Sequence, residues 1–162
     1  MFKKILVPLD GSALAERAIE QVEKMAEGSG AEVLLLKVVP APLGKVPEAG
    51  QMEESKAFAD AVNKATAYLE RIATRLGAIS LKARILVPTG EPHAGILAAA
   101  HKEDVDFIVM STHGGTALAR TLLGSTVEKV VYATKRPVFL VKPEKIHAAR
   151  VEEGDIIAGI AR

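Results

Sequence analysis

The chain has 162 residues, 49% of them hydrophobic and 25% charged, enough for one self-contained core and too apolar for broad disorder. Its 21 Lys and Arg against 20 Asp and Glu leave a net charge of +1, so no strong field draws it to nucleic acid or to an anionic membrane. Cysteine is absent, which excludes disulfides, thiolate catalysis and zinc–thiolate sites.

The opening Met1-Phe2-Lys3-Lys4 has the basic character of a signal segment, but the apolar stretch Ile5–Leu9 is cut by Asp10. No run approaches the roughly 20 apolar residues that span a bilayer, so a soluble, cytoplasmic protein is expected. The run Lys4–Leu9, closed by Asp10-Gly11-Ser12, suits a strand buried on both faces. From Ala13 to Glu27, Leu14, Ala18, Val22 and Met25 recur at helical spacing, with Ser12 as N-cap and Gly28-Ser29-Gly30 as the stop. Glu32 to Val39 reads as a second strand. Pro40 to Gly50, with three prolines and two glycines, reads as a loop.

A long helix is predicted from about Met52 to Leu76, where Phe58, Val62, Ala65, Leu69, Ile72 and Leu76 repeat at four and three; Gly77 is its expected terminator. Leu81 to Val87 is a third strand. Pro92 opens a short helix to about His101, and Val105 to Met110 is a fourth strand. Ser111 to Thr116 is a glycine-bearing loop. Ser125 to about Thr134 reads as a helix, with Val127, Val130 and Val131 on one face, and Pro137 to Val141 as a fifth strand. In the mixed tail from Glu144 to Arg162, Ile156, Ile157 and Ile160 fit a short amphipathic helix.

Apolar strands alternating with helices imply an α/β protein: one doubly wound, five-stranded parallel sheet in three layers. Such sheets bind ligands beyond the carboxyl ends of their strands, which directs attention to Asp10, Val38 and Ser111–Gly115. Walker, dinucleotide and nucleophile-elbow motifs are absent from the sequence, and His93, His101, His113 and His147 do not form a zinc signature. Aromatics are only 4%, which leaves few platforms for stacking bases, so no nucleic-acid partner is expected. What remains is Ser111-Thr112-His113-Gly114-Gly115, followed by Gly124-Ser125-Thr126 at a helix start. A glycine loop and a helix N-terminus suit phosphate, and the two hydroxyls add donors. By themselves the same residues serve equally as a turn and a cap.

The opening Ile5–Ser12 and the block Val109–Val141 resemble the universal stress protein family, and the order of elements matches over roughly residues 2–143. The nucleotide-binding branch of that family carries G-x2-G-x9-G-[ST]. Here Gly114 and Gly124-Ser125 keep the spacing, with Leu122-Leu123 and Arg136-Pro137-Val138 alongside, but Ser111 replaces the first glycine. Either its extra bulk crowds the ligand or its hydroxyl bonds it.

The resemblance implies strand order 3-2-1-4-5, a nucleotide-binding domain over 1–143 and a tail over 144–162. It implies a regulatory stress-response protein with ATP or AMP across the ends of strands one and four. Asp10 would sit near the adenine or ribose. Pro8 and Val38 would wall the base, and Met110 and Ser111 would line the sugar end. Gly114, Gly124, Ser125 and Thr126 would hold the phosphates. Mg²⁺ or Mn²⁺ would accompany a triphosphate, bound mainly through phosphate oxygens and water. The resemblance also implies a homodimer through the last strand, Pro137–Val141. No catalytic residue is assigned. Alternatives are slow ATP hydrolysis, for which His113 is the one named candidate, and a dimeric interaction protein that binds no nucleotide. Arg120 would reach a γ-phosphate, a neighbouring subunit or solvent. Pro40–Gly50 and Thr116–Leu123 are the expected movable segments.

Overall fold

The computed structural model describes residues 2–41, 51–112 and 123–142. In chain order the elements are β1 (Lys4–Pro8), α1 (Ala13–Ala26), β2 (Glu32–Leu36), α2 (Gln51–Ala78), β3 (Lys82–Leu86), α3 (Pro92–Lys102), β4 (Phe107–Ser111), α4 (Ser125–Ala133) and β5 (Val138–Val141). The strands form one parallel sheet in the order β3-β2-β1-β4-β5. This is the expected α/β fold and strand order.

Alternation along each strand divides the core into two faces. Ile5, Val7, Val33, Leu35, Phe107 and Val109 pack against Ile19 and Val22 of α1 and Leu69, Ile72 and Leu76 of α2. Leu6, Leu34, Leu36, Ile108 and Met110 pack against Ile96 and Ala100 of α3 and Val127 and Val130 of α4. Because both faces are covered, β1 and β2 are continuously apolar instead of alternating.

Several predicted boundaries shift by a few residues: β4, expected over Val105–Met110, spans Phe107–Ser111, so Ser111 closes the strand instead of opening the following loop, and two further shifts, in α2 and β2, shape the site. α2 does not stop at Gly77 but runs to Ala78. Its end is a Schellman turn: Leu81 N–H donates to Leu76 O and Ser80 N–H to Gly77 O, with Ser80 at φ 62°. β2 ends at Leu36, short of Val39. Beyond Leu36 the chain still follows β3, with Lys37 N–H donating to Leu86 O and Val39 N–H to Pro88 O. It parts instead from β1, which turns away at Asp10. On its other side β1 pairs with β4 only at Ile5↔Phe107 and Leu6↔Ile108, whereas five pairs join it to β2. The sheet therefore opens at its carboxyl edge on both sides of β1. The predicted tail helix at Ile156–Ile160 and the rest of 144–162 lie outside the described residues.

Candidate functional site

The β1–α1 turn is built from three consecutive polar or flexible residues. Asp10 Oδ1 accepts from Ser12 N–H at 2.8 Å, and Ser12 Oγ accepts from Ala15 N–H at 3.1 Å. Ser12 is thus the N-cap and Asp10 closes an Asx turn onto it. Gly11 adopts φ 95°, a conformation side chains disfavour. Asp10 is exposed at the mouth of the opening, and Pro8, which lacks an N–H, is buried behind it at the end of β1.

Val38 forms the facing wall on the β2 side. The N–H groups of Lys37 and Val39, and the carbonyl of Val39 that accepts from Gly90 N–H, all point to β3. Main-chain groups alternate along an extended segment, so the N–H and C=O of Val38 point the other way, to the side vacated by β1. Neither has a backbone partner among the described residues. The Val38 side chain leans onto α3, against Gly95. A groove of about 650 Å³ runs along α3, lined among others by Pro88, Gly95 and Lys102.

The β4 side contributes Met110 and Ser111, and the two point to opposite faces. Met110 is 5% exposed within the cluster under α3 and α4. Ser111, also 5% exposed, shares the parity of Phe107 and Val109, and its Oγ is buried with no hydrogen-bond partner among the described residues. A buried hydroxyl left unsatisfied costs about 1–3 kcal/mol. Thr112 ties the region together: its N–H donates to Val141 O of β5 at 3.0 Å, and its carbonyl accepts from Gly124 N–H at 2.9 Å. That second bond sets the start of α4 against the end of β4.

Gly124 is the N-cap of α4, with no side-chain cap, and its carbonyl accepts from Glu128 N–H. The amides of Ser125, Thr126 and Val127 precede that bond and have no backbone partner among the described residues. They carry the partial positive charge of a helix start. Asp10, Val38, Ser111, Gly124, Ser125 and Thr126 thus lie along one carboxyl edge. Gly114, His113 and Arg120 lie outside the described residues, as do 42–50 and 116–122 of the expected movable segments. Among the described residues, no three His, Asp or Glu side chains gather as a metal site.

Sequence reading missed Lys37 and Gly95, and placed Thr112 in the candidate loop without a role of its own. Lys37 alone left a signal, as a cation breaking the apolar run Val33–Val39. Its ammonium donates to the Asp10 carbonyl and lies 5.7 Å from the Tyr68 ring centroid. Burial lowers its affinity for a proton, and the Asp10 carboxylate partly restores it.

Comparison with known proteins agrees with this architecture. The model of the universal stress protein family matches residues 1–142. Universal stress protein MJ0577 of Methanocaldococcus jannaschii is 34% identical over 159 residues, covering 88% of this chain and 96% of its own. The solved structure of MJ0577 superposes with a TM-score of 0.74 at 32% identity, over 89% of this chain and 98% of that one. A universal stress protein family member from Arabidopsis thaliana, solved with AMP bound, has a TM-score of 0.64 at 19% identity, over 88% of this chain and 92% of its own.

Proposed function

Because the chain belongs to the universal stress protein family, we propose that it is a regulatory module that binds an adenine nucleotide, ATP or AMP, where the sheet opens beside β1. The observation that carries this reading is Val38, whose N–H and C=O are aimed into the opening without a backbone partner among the described residues. A donor and an acceptor on the same residue, aimed the same way, match the N1 acceptor and N6 donor of adenine. Pro8 backs the base as an apolar wall, Asp10 offers a carboxylate to ribose hydroxyls, and the Ser111 hydroxyl gains the partner it lacks. Met110 supports the sugar end from the opposite face.

The start of α4 takes the phosphates. Gly124 admits close approach, the Ser125 and Thr126 amides donate, and their hydroxyls add two more donors. Gly114 belongs to the same cradle by its spacing. With ATP, Mg²⁺ or Mn²⁺ bound through phosphate oxygens and water would neutralise part of the charge. The AMP seen in the Arabidopsis relative supports the ligand class. We read the module as a homodimer through β5, an edge strand that exposes Phe139 by 47% and Leu140 by 37%.

The test is mass spectrometry of nucleotide released from freshly purified protein, followed by calorimetry with Mg-ATP and with AMP. One nucleotide per chain is expected. Gly124→Asp is the discriminating variant. Asp is a preferred N-cap, so α4 gains about 0.5 kcal/mol, while the new carboxylate repels phosphate and affinity falls at least about tenfold. Unchanged affinity would remove α4 from the site. No nucleotide and no heat would leave the dimeric interaction protein, with Ser111 filling the space the motif leaves for glycine.

A further inference from the structure

We propose that Lys37 is the positioning residue of this site: from the extended chain just beyond β2 it clamps the Asp10–Gly11 turn and ties that turn to α2 through Tyr68. The clamp stands on geometry alone; its effect on a ligand rests on the nucleotide reading above.

Strand alternation places Val33, Leu35 and Lys37 on the α1/α2 face, and the first two are fully buried. A lysine continuing that row must find partners for its ammonium as it leaves water. It finds two. The Nζ donates to the main-chain carbonyl of Asp10, and it sits over the Tyr68 ring. Arg71 lies 5.5 Å from the same ring centroid and pairs with Glu16 of α1 at 3.3 Å. The Tyr68 hydroxyl is buried and meets no partner at hydrogen-bonding geometry among the described residues, though burial and the nearby Glu16 carboxylate oppose its ionisation. One cation thus joins the β1–α1 turn and α2 to the segment that follows β2.

Gly11 is shaped for this contact. A Cβ built on it would stand 3.2 Å from Lys37 Nζ, and its φ of 95° already excludes most side chains. The turn is pinned from both ends, its Asp10 carbonyl by Lys37 and its Asp10 carboxylate by Ser12 N–H. Lys37 is not placed to be a phosphate ligand. It projects on the α1/α2 face, whereas α4, whose first amides would meet phosphate, packs on the other. Its action on the ligand therefore passes through Asp10.

The test compares the full chain with Lys37→Met, Lys37→Arg and Tyr68→Leu by local hydrogen exchange over residues 9–15 and by calorimetry with Mg-ATP. Lys37→Met is expected to speed exchange of the Ser12 and Ala15 amides and to weaken Mg-ATP, each by about tenfold, the scale of one hydrogen bond to a charged group. Lys37→Arg, which still donates to the Asp10 carbonyl, restores both to within about twofold. Tyr68→Leu moves both in the same direction as Lys37→Met. A lysine that only packs would lower global stability while leaving this segment's relative protection and the arginine rescue unseen. Wild-type exchange over 9–15 in Lys37→Met overturns the clamp. Wild-type affinity beside accelerated exchange overturns its role toward the ligand. If the parent protein binds no Mg-ATP, the nucleotide reading fails, and the exchange experiment decides the clamp by itself.

Discussion

Gly95→Ala puts two opposing free energies on the wall of the site. Gly95 lies in the first half of α3, its N–H donating to Glu91 O at 3.0 Å. Replacing a helical glycine by alanine gains about 1 kcal/mol from backbone entropy. The new Cβ, however, would stand 2.8 Å from Val38 Cγ2 and 3.3 Å from Val38 Cγ1, with Pro88 Cγ at 3.5 Å. The closest of these must open to 3.4 Å before contact becomes ordinary. Val38 is β-branched and has little rotamer freedom with which to yield. Forcing one methyl into such packing costs about 1–3 kcal/mol. The clash wins, and we expect a net loss of about 1 kcal/mol. Gly77→Ala is the matched control, since it lies in α2 with nothing within 4 Å of its Cβ position, and a gain of up to about 1 kcal/mol is expected. Urea denaturation reads both as shifts in midpoint at constant slope. Calorimetry should show Mg-ATP affinity reduced several-fold in Gly95→Ala alone, because Val38 moves with its main chain. If the two variants are stabilised equally, Val38 gives way freely and the contact constrains nothing.

Two more outcomes follow from residues at the same edge. Ser111→Ala removes the buried orphan hydroxyl, so the ligand-free protein should gain about 1 kcal/mol in urea while Mg-ATP binds more weakly; a tighter complex would mean that the hydroxyl obstructs. Leu140→Lys should convert a dimer to monomer in light scattering, with little change in thermal midpoint. It is the cleaner probe of β5, because Phe139 also packs edge-to-face on Phe107 at 4.9 Å, and an unchanged dimer would clear β5 of the interface.

Much of the fold was legible because burial on both faces leaves a plain trace. Ile5-Leu6-Val7 and Val33–Leu36 read as buried strands, and the four-and-three spacing through Leu69, Ile72 and Leu76 marked the inner face of α2. Errors arose where pairing partners decide the outcome. Val38-Val39 are as apolar as the strand before them, yet the ladder to β1 ends because Asp10 turns away. Gly77 was the natural stop, yet the turn closes three residues later, where Leu81 can be buried and Ser80 accepts a left-handed conformation. In the site, Asp10 and Gly124 were visible as a turn residue and a helix start. Lys37 showed only as a cation breaking an apolar run, and Gly95 not at all, since each matters through a contact with a distant stretch of chain. The missing partner of Ser111 could not be read from neighbours in sequence either.

The two-pair seam between β1 and β4 has a consequence for how a ligand is met. β1 is the central strand, and Ile5, Leu6 and Val7 are wholly buried, the features expected of the portion of a domain that opens last in hydrogen exchange. The gap at its carboxyl end is thus rooted in the most protected part of the domain. Entropy normally lost in ordering a recognition surface has, along this wall, already been lost in folding. A molecule that fits against Pro8 and Val38 keeps more of its contact energy as affinity, and the steepness of its selectivity is set by the rigidity of the sheet beneath.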